Sequence, residues 1–163
     1  MPNYIRPKVT GARVFFTVTL AARRSASLVD EIERLRDAVR MTRAERPFGI
    51  DAWVVLPDHL HCVWTLPAGD RDFSTRWRLI KSRFSRGLPM GRRRASHIAR
   101  DERGVWQRRF WEHHTRDEAD YAAHLRYCWT NPVKHGFVER PEDWPYSSVH
   151  SDARYVPGAD LAL

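Results

Sequence analysis

The chain has 163 residues, of which 42% are hydrophobic and 12% aromatic, a composition that excludes an intrinsically disordered protein. At this length we expect a single domain over residues 1–163 with residues 141–163 as a C-terminal tail, and no apolar run is long enough to cross a bilayer. The 28 Lys and Arg residues outnumber the 20 Asp and Glu residues, and the net charge of +8 indicates a polyanionic partner.

The first two predicted elements are a strand and a helix. Residues 13–20 are rich in β-branched and aromatic side chains, which favours a strand that is buried on at least one face. Ser27 then offers an N-cap, and apolar residues recur at three- and four-residue spacing until Pro47, which predicts a helix packed on a sheet. No secretory signal precedes the strand and only two cysteines are present, so we expect a cytoplasmic protein without disulfide bonds.

A hairpin follows this helix. Residues 50–56 and 60–66 are apolar and β-branched, and each segment predicts a strand. Pro57 and Asp58 lie between them, where proline removes a donor from the ladder and favours a turn. The two strands are therefore expected to pair as an antiparallel hairpin.

The second half of the chain predicts a helix, a loop, a strand and a further helix. Ser74 is expected to cap a helix that ends near Arg86, and residues 87–104, with glycines and an Arg triplet, predict a mobile basic loop. Residues 105–111 are predicted as the fourth strand, and residues 117–131 as the last helix. The order β-α-β-β-α-β-α predicts an α+β fold, with a ferredoxin-like or split βαβ sheet of four to five mainly antiparallel strands.

Two histidines stand at the start of the second hairpin strand. Side chains alternate between the two faces of a strand, so His59 and His61 project to one side while Leu60 and Cys62 point to the other. Two imidazoles on one face can share a divalent ion, although such pairs also occur on solvated strands. The surrounding Trp and Val residues favour the metal site because they hold the pair on a rigid, buried element.

Four polar residues are expected to line one face of the last helix. Asp120, His124, Tyr127 and Asn131 follow one another at spacings of four, three and four residues. A tyrosine on that face keeps its hydroxyl available, and the alternative is an amphipathic tyrosine at the edge of a core. Pro132 disfavours helical geometry at Asn131, which leaves the relation between Asn131 and Tyr127 open.

Half of the basic residues, 14 of the 28, lie within residues 71–116 beside four acidic ones. Arginine suits bidentate contacts with phosphate, and the alternation of Arg with aromatic residues over 106–111 suits single-stranded nucleic acid. A solvated basic surface is the alternative interpretation. The candidate nucleic-acid-binding residues are Lys81, Arg83, Arg92, Arg93, Arg94, Arg108 and Arg109.

Three blocks of sequence together resemble one family. They are VVLPDHLH at 54–61, then WQRRF at 106–110 with EH at 112–113, and finally YCWTNPVKHG at 127–136 followed by DWPYSS at 143–148. Their order and spacing resemble the REP-associated tyrosine transposases, a branch of the single-strand transposases of small bacterial insertion sequences. The likeness runs from Arg13 to Ser148.

The resemblance implies a metal-dependent DNA endonuclease and transposase of the His-hydrophobe-His type, acting as a monomer on hairpin-forming repeated extragenic palindromes (REP). It implies that Tyr127 is the nucleophile, forming a 5′-phosphotyrosine, and that Mg²⁺ or Mn²⁺ is the cofactor. The chain departs from the family at Asp58, often Asn there, and at Trp129, often His. The implied metal ligands are His59, His61 and Asn131.

Two other functions are compatible with parts of the pattern. A zinc hydrolase or structural zinc protein would use His59 and His61 with either His113 or His114, and would give Tyr127 no role. A non-catalytic DNA or RNA binder, such as a domesticated repressor, would bind hairpins normally and cleave none under any divalent ion.

Overall fold

The computed structural model describes Pro7 and residues 9–21, 27–89 and 93–158. Within these ranges one antiparallel sheet has the strand order β2-β3-β1-β4, where the strands are β1 (Arg13–Thr19), β2 (Gly49–Val55), β3 (His59–Thr65) and β4 (Trp111–His114). The helices are α1 (Ser27–Asp30), α2 (Ile32–Glu45), α3 (Phe73–Ser85), α4 (Ala95–Ala99) and α5 (Glu118–Lys134). The predicted α+β class and antiparallel sheet are confirmed.

The larger core lies between the sheet and helices α2 and α3. Because side chains alternate along β1, Phe16 points to this face. Its ring centroid is 4.8 Å from that of Trp64 on β3, which stacks on Trp77 of α3 at 4.4 Å. Aromatic side chains bury large apolar areas, so this cluster holds the sheet rigidly from one side.

Helix α5 covers the opposite face of the sheet. Phe15 and Val63 of the sheet pack there against buried residues of α5, among them Leu125 and Cys128. The Asp117 carboxylate caps this helix by accepting a 2.7 Å hydrogen bond from the backbone N–H of Asp120. The sheet is therefore sandwiched between two layers, and on the face that carries the odd-numbered residues of β1 helix α5 packs together with Val149 and Tyr155 from the segment that follows it.

The predicted hairpin is present. Val55 pairs with Leu60 across the β2–β3 ladder, and the backbone N–H of Leu56 donates to the carbonyl of His59 at 2.8 Å. The predicted helix from Ser27 is also present, as α1 and α2 separated by Glu31. No described helix has both the length and the apolar character needed to cross a membrane.

The start of α3 was predicted incorrectly. The helix begins at Phe73, and Asp72, not Ser74, is its N-cap, accepting a 3.0 Å hydrogen bond from the backbone N–H of Thr75. The Asp72 carboxylate, two residues earlier, accepts from an N–H group of the first turn that has no partner within the helix. Its negative charge also interacts favourably with the helix dipole.

The fourth strand was also placed too early. The ladder with β1 begins at Trp111, and earlier in the predicted segment Trp106 makes only an isolated bridge to Leu20. Trp106 pairs with Leu20 and Trp111 with Thr17, so five residue steps face three and the segment between cannot continue the ladder. The Trp106 ring packs on Phe84 of α3, with centroids 5.2 Å apart. The preceding basic loop contains the short helix α4, whereas residues 90–92 lie outside the described ranges.

Candidate active site

The two histidines of β3 lie side by side as the strand alternation predicted. Their ring centroids are 4.9 Å apart, and His61 is buried while His59 is partly exposed. They share the sheet face that α5 covers. A third imidazole, that of His135 just after α5, has its centroid 5.3 Å from that of His59.

Each of these two rings is held through its Nδ1 atom. Nδ1 of His61 lies 2.8 Å from the Thr17 hydroxyl, and Nδ1 of His59 lies 2.7 Å from a carboxylate oxygen of Asp58. Neither partner was identified from the sequence as a site residue. When Nδ1–H donates to such a partner, Nε2 keeps its lone pair, which is the arrangement of a metal-binding histidine.

The environment of His61 keeps its ring neutral. Burial, followed by the nearby His59, lowers the pKa of His61 to about 3. A neutral imidazole is the form that binds a metal ion, so this ring is ready to coordinate at pH 7 without losing a proton.

Tyr127 lies next to this pair on α5. Its side chain is partly exposed, and its ring centroid is 5.1 Å from that of His61 and 5.6 Å from that of Phe15. The Lys134 ammonium is 5.1 Å from the centre of the same ring. The phenol is therefore open to solvent beside the imidazole pair, and is not enclosed in the apolar core.

Asn131 is fully buried one helical turn after Tyr127. Helix α5 continues through Pro132, so the helical spacing between Tyr127 and Asn131 is retained. Among the described residues, neither the amide oxygen nor the amide nitrogen of Asn131 has a hydrogen-bond partner. A buried amide without partners is costly and points to a ligand, and an amide oxygen with two imidazoles is a donor set that fits Mn²⁺ or Mg²⁺.

The histidines of β4 do not join His59 and His61. His113 contacts Asp120 and His124 of α5. Among the described residues, these three side chains lie close enough together to hold a metal ion. His114 points to the other face, where its ring centroid is 5.8 Å from that of Phe73. The ligand set required by a zinc enzyme built on His59 and His61 is therefore not assembled.

The predicted nucleic-acid-binding residues have different surroundings. Lys81 donates to the Gln107 carbonyl at 2.9 Å, and Arg83 donates to the Thr42 hydroxyl at 2.9 Å. Arg108 forms a 3.4 Å ion pair with Glu102. Arg94 and Arg109 are exposed, Arg93 is half-buried, and Arg92 lies outside the described residues.

Lys81 and Arg108 line a groove of about 700 Å³ beside α3, together with the aromatic residues Trp77, Trp106 and Phe110. The groove lies on the α3 side of the sheet because Trp77 and Phe110 belong to the core on that side. Tyr127 contacts Phe15 on the other side. The basic groove and the imidazole pair are therefore separated by the sheet.

Comparison with known proteins gives a consistent result, although no family model matches the chain. The chain is 45% identical over 152 residues to a REP-associated tyrosine transposase of Escherichia coli (strain K12), covering 93% of this chain and 85% of the relative. A Haemophilus influenzae protein named for the same family is 43% identical over 156 residues, covering 94% of this chain and 89% of that protein.

A solved structure of a REP-associated tyrosine transposase bound to a REP hairpin has a TM-score of 0.80 to this chain at 46% identity. The match covers 92% of this chain and 84% of the other. The resemblance carried by the three sequence blocks is thus confirmed along nearly the whole chain.

Proposed function

The chain belongs to the REP-associated tyrosine transposases, and from that premise we propose that it cleaves and rejoins single-stranded DNA at hairpins through Tyr127 with a divalent metal ion. The observation that carries the proposal is the contact between Tyr127 and His61, whose rings are 5.1 Å apart on elements far apart in sequence. With Nδ1 of both histidines engaged, two Nε2 atoms remain for a cation beside the phenol.

His59, His61 and Asn131 would hold the Mg²⁺ or Mn²⁺ ion. Bound there, the ion supplies Lewis-acid polarisation of the scissile phosphate and neutralises charge that develops on it. The residues fit this role because Asn131 is buried without a partner among the described residues and the His61 ring is neutral. Thr17 and Asp58 fix the orientation of the two rings.

Tyr127 attacks phosphorus with its phenolic oxygen. The new O–P bond forms a 5′-phosphotyrosine, the P–O3′ bond breaks, and the departing 3′ oxygen takes up a proton. A free tyrosine has a pKa near 10, so ionising it at pH 7 costs about 4 kcal/mol, which electrostatic stabilisation in the site must offset. The reverse attack by a 3′-hydroxyl restores the phosphodiester and joins strands.

We propose that hairpin DNA is the substrate, since the similar solved protein is bound to a REP hairpin. Arg94 and Arg109 are exposed and so available to phosphates, and Trp111, exposed at the sheet edge, offers a face for base stacking. Arg83 is less available because it is bonded to Thr42 and Glu45. A substrate of this kind fits a cytoplasmic protein.

We further propose that the protein acts as a monomer. The Tyr127 and His61 rings are in contact within one chain, so the site needs no helix from a second subunit. A dimer that exchanged α5 between subunits would have to detach Leu125 and Cys128 from the sheet of their own chain and rebuild the same packing on the partner.

The proposal is tested with end-labelled hairpin oligonucleotides carrying single-stranded flanks. We expect nicking with Mn²⁺ or Mg²⁺, none with EDTA, and none from a His59→Ala/His61→Ala variant that still binds the hairpin. His150→Ala, which changes an exposed histidine hydrogen-bonded to the Trp144 carbonyl, is the control and should nick normally. Normal binding without nicking under any divalent ion would replace the proposal with a non-catalytic DNA binder.

A further inference from the structure

A second cluster of metal-ligating side chains lies at the junction of β4 and α5. Nε2 of His113 is 2.8 Å from one carboxylate oxygen of Asp120, and Nδ1 of His124 is 3.2 Å from the other. The two imidazole rings stack with centroids 4.6 Å apart. One ligand atom from each of the three residues lies within 4.8 Å of the others.

The cluster is held by two independent elements and is separate from the proposed catalytic ligands. Asp120 and His124 are four residues apart on α5, which places them on one helical face, and His113 reaches them from β4. The Phe15 ring lies between the clusters, with its centroid 4.8 Å from that of His124 and 5.6 Å from that of His61. An ion bound by one cluster is therefore not shared with the other.

We propose that His113, Asp120 and His124 form a second cation site, which takes Zn²⁺ or a similar borderline transition-metal ion. Two imidazole nitrogens with one carboxylate oxygen form a donor set typical of zinc, with ligand bonds of about 2.0–2.2 Å, and a fourth position is left for water.

Binding replaces contacts that the apo cluster already makes. Nδ1 of His124 also lies 2.8 Å from the Asp120 carbonyl, so coordination through that atom exchanges a hydrogen bond for a metal bond. The Arg116 guanidinium, whose Nε is 3.5 Å from the Asp120 carboxylate, is exposed and free to move aside. The Arg116 backbone N–H also donates to this carboxylate at 2.9 Å, and the three ligand atoms, which lie within 4.8 Å of one another, would move closer together around the ion.

A bound ion would restrain α5, the helix that carries the proposed nucleophile. The ion would tie the start of α5 to the edge strand, and Tyr127 follows His124 by one turn. Its effect on stability is independent of cleavage, so the site is testable whether or not the proposed DNA chemistry is correct. A ligand that binds only the folded state raises the free energy of unfolding by an amount that grows with the logarithm of the ligand concentration relative to its Kd.

The test uses the full chain with His59→Ala/His61→Ala, which removes the other imidazole pair, and Zn²⁺ as the probe. We expect one equivalent of Zn²⁺ by calorimetry, a rise in Tm, and visible absorption when Co²⁺ is substituted. Adding His113→Gln or His124→Gln should weaken Zn²⁺ binding by about tenfold or more, because each removes one ligand.

His150→Gln in the same background is the matched control and should bind Zn²⁺ unchanged. Circular dichroism and hairpin binding report whether each variant is folded. Absence of Zn²⁺ binding by the folded His59→Ala/His61→Ala protein would overturn the site, as would equal affinity in the His113→Gln and His124→Gln variants.

Discussion

The Thr17 hydroxyl of β1 lies 2.8 Å from Nδ1 of His61 on the neighbouring strand. The two residues are directly paired in the β1–β3 ladder, so the contact is set by the register of the sheet. It fixes which nitrogen of the buried ring remains for a metal ion. A partner of this kind usually contributes strongly to metal affinity, although it never touches the metal.

Replacing Thr17 with Val removes this hydroxyl and keeps the β-branched shape. We expect Mn²⁺ affinity to fall by about 10–100-fold, with nicking restored at high Mn²⁺ concentration. Calorimetry and the Mn²⁺ dependence of the nicking rate measure the effect. Thr19→Val, two residues along the same strand face and paired with His59, is the control; equal losses in both variants would show that the Thr17 contact has no special role.

Asp58 should tolerate Asn better than Ala. The Asp58 carboxylate accepts from Nδ1 of His59 at 2.7 Å, and an Asn side-chain oxygen can accept the same hydrogen bond without the charge. We expect Asp58→Ala to weaken Mn²⁺ binding by roughly tenfold or more and Asp58→Asn to weaken it clearly less. Calorimetric titration of both variants separates the two effects. If Asn and Ala had the same effect, the hydrogen bond would not be what positions His59.

Asn131 should make the metal-free protein less stable while serving its function. Its amide is buried with no partner among the described residues, so Asn131→Leu should raise the free energy of unfolding of the metal-free protein by about 1–3 kcal/mol while abolishing nicking. Urea titration and the hairpin assay measure the two quantities.

The neighbouring Thr130 supplies the control, because its buried hydroxyl already donates to the Arg126 carbonyl at 2.8 Å. Thr130→Val should therefore not gain stability and should nick normally. An Asn131→Leu protein that is less stable and fully active would mean that Asn131 serves packing and not the metal.

The ion pair between Asp70 and the buried Arg76 should contribute to stability only above acidic pH. A hydrogen bond from Arg76, followed by one from the Asp72 backbone, lowers the pKa of Asp70 below its usual 3.8. Because the folded-state pKa is the lower one, this stabilisation is present above about pH 4 and is lost as pH falls through the folded pKa.

Asp70→Asn should therefore lose stability at pH 7 and converge on the wild type towards pH 2, as followed by urea titration. Asp101→Asn changes an exposed aspartate whose φ of 55° Asn tolerates, so it should show no such convergence. A constant difference between Asp70→Asn and wild type across this range would contradict the assignment.

The parts of the site that sequence predicts best are those set by local periodicity. The two-residue period of a strand put His59 and His61 on one face, and the turn at Pro57 and Asp58 set the hairpin that carries them. Helical spacing likewise left Tyr127 partly exposed beside a buried stripe. These relations need only the geometry of one element.

The partners that orient the histidines depend on how distant elements pair. Thr17 is 44 residues from His61, and the contact exists only in one register of β1 on β3. No local pattern specifies that register. His113 was similarly considered as a partner for His59, but the placement of β4 at the far side of β1 brings it to His124 instead.

Arg76 shows why charge alone misleads. Arg76 is one of the 14 basic residues within 71–116, yet it is 2% exposed and donates to the carbonyls of Arg46, Pro47 and Asp72 as well as to Asp70. Backbone acceptors are invisible in a charge pattern. Arg76 is therefore a structural residue that ties α3 to the segment before β2, and not part of a DNA-binding surface.

The central claim is that Tyr127 becomes covalently attached to DNA. Incubation with Mn²⁺ and a labelled hairpin, followed by denaturing electrophoresis and peptide mapping by mass spectrometry, should give an adduct on the peptide that contains Tyr127. The adduct should disappear in Tyr127→Phe, which still binds the hairpin, and persist in Tyr121→Phe, which changes a tyrosine of the same helix hydrogen-bonded to Arg154. An adduct that survives in Tyr127→Phe, or that maps to another residue, would contradict the account.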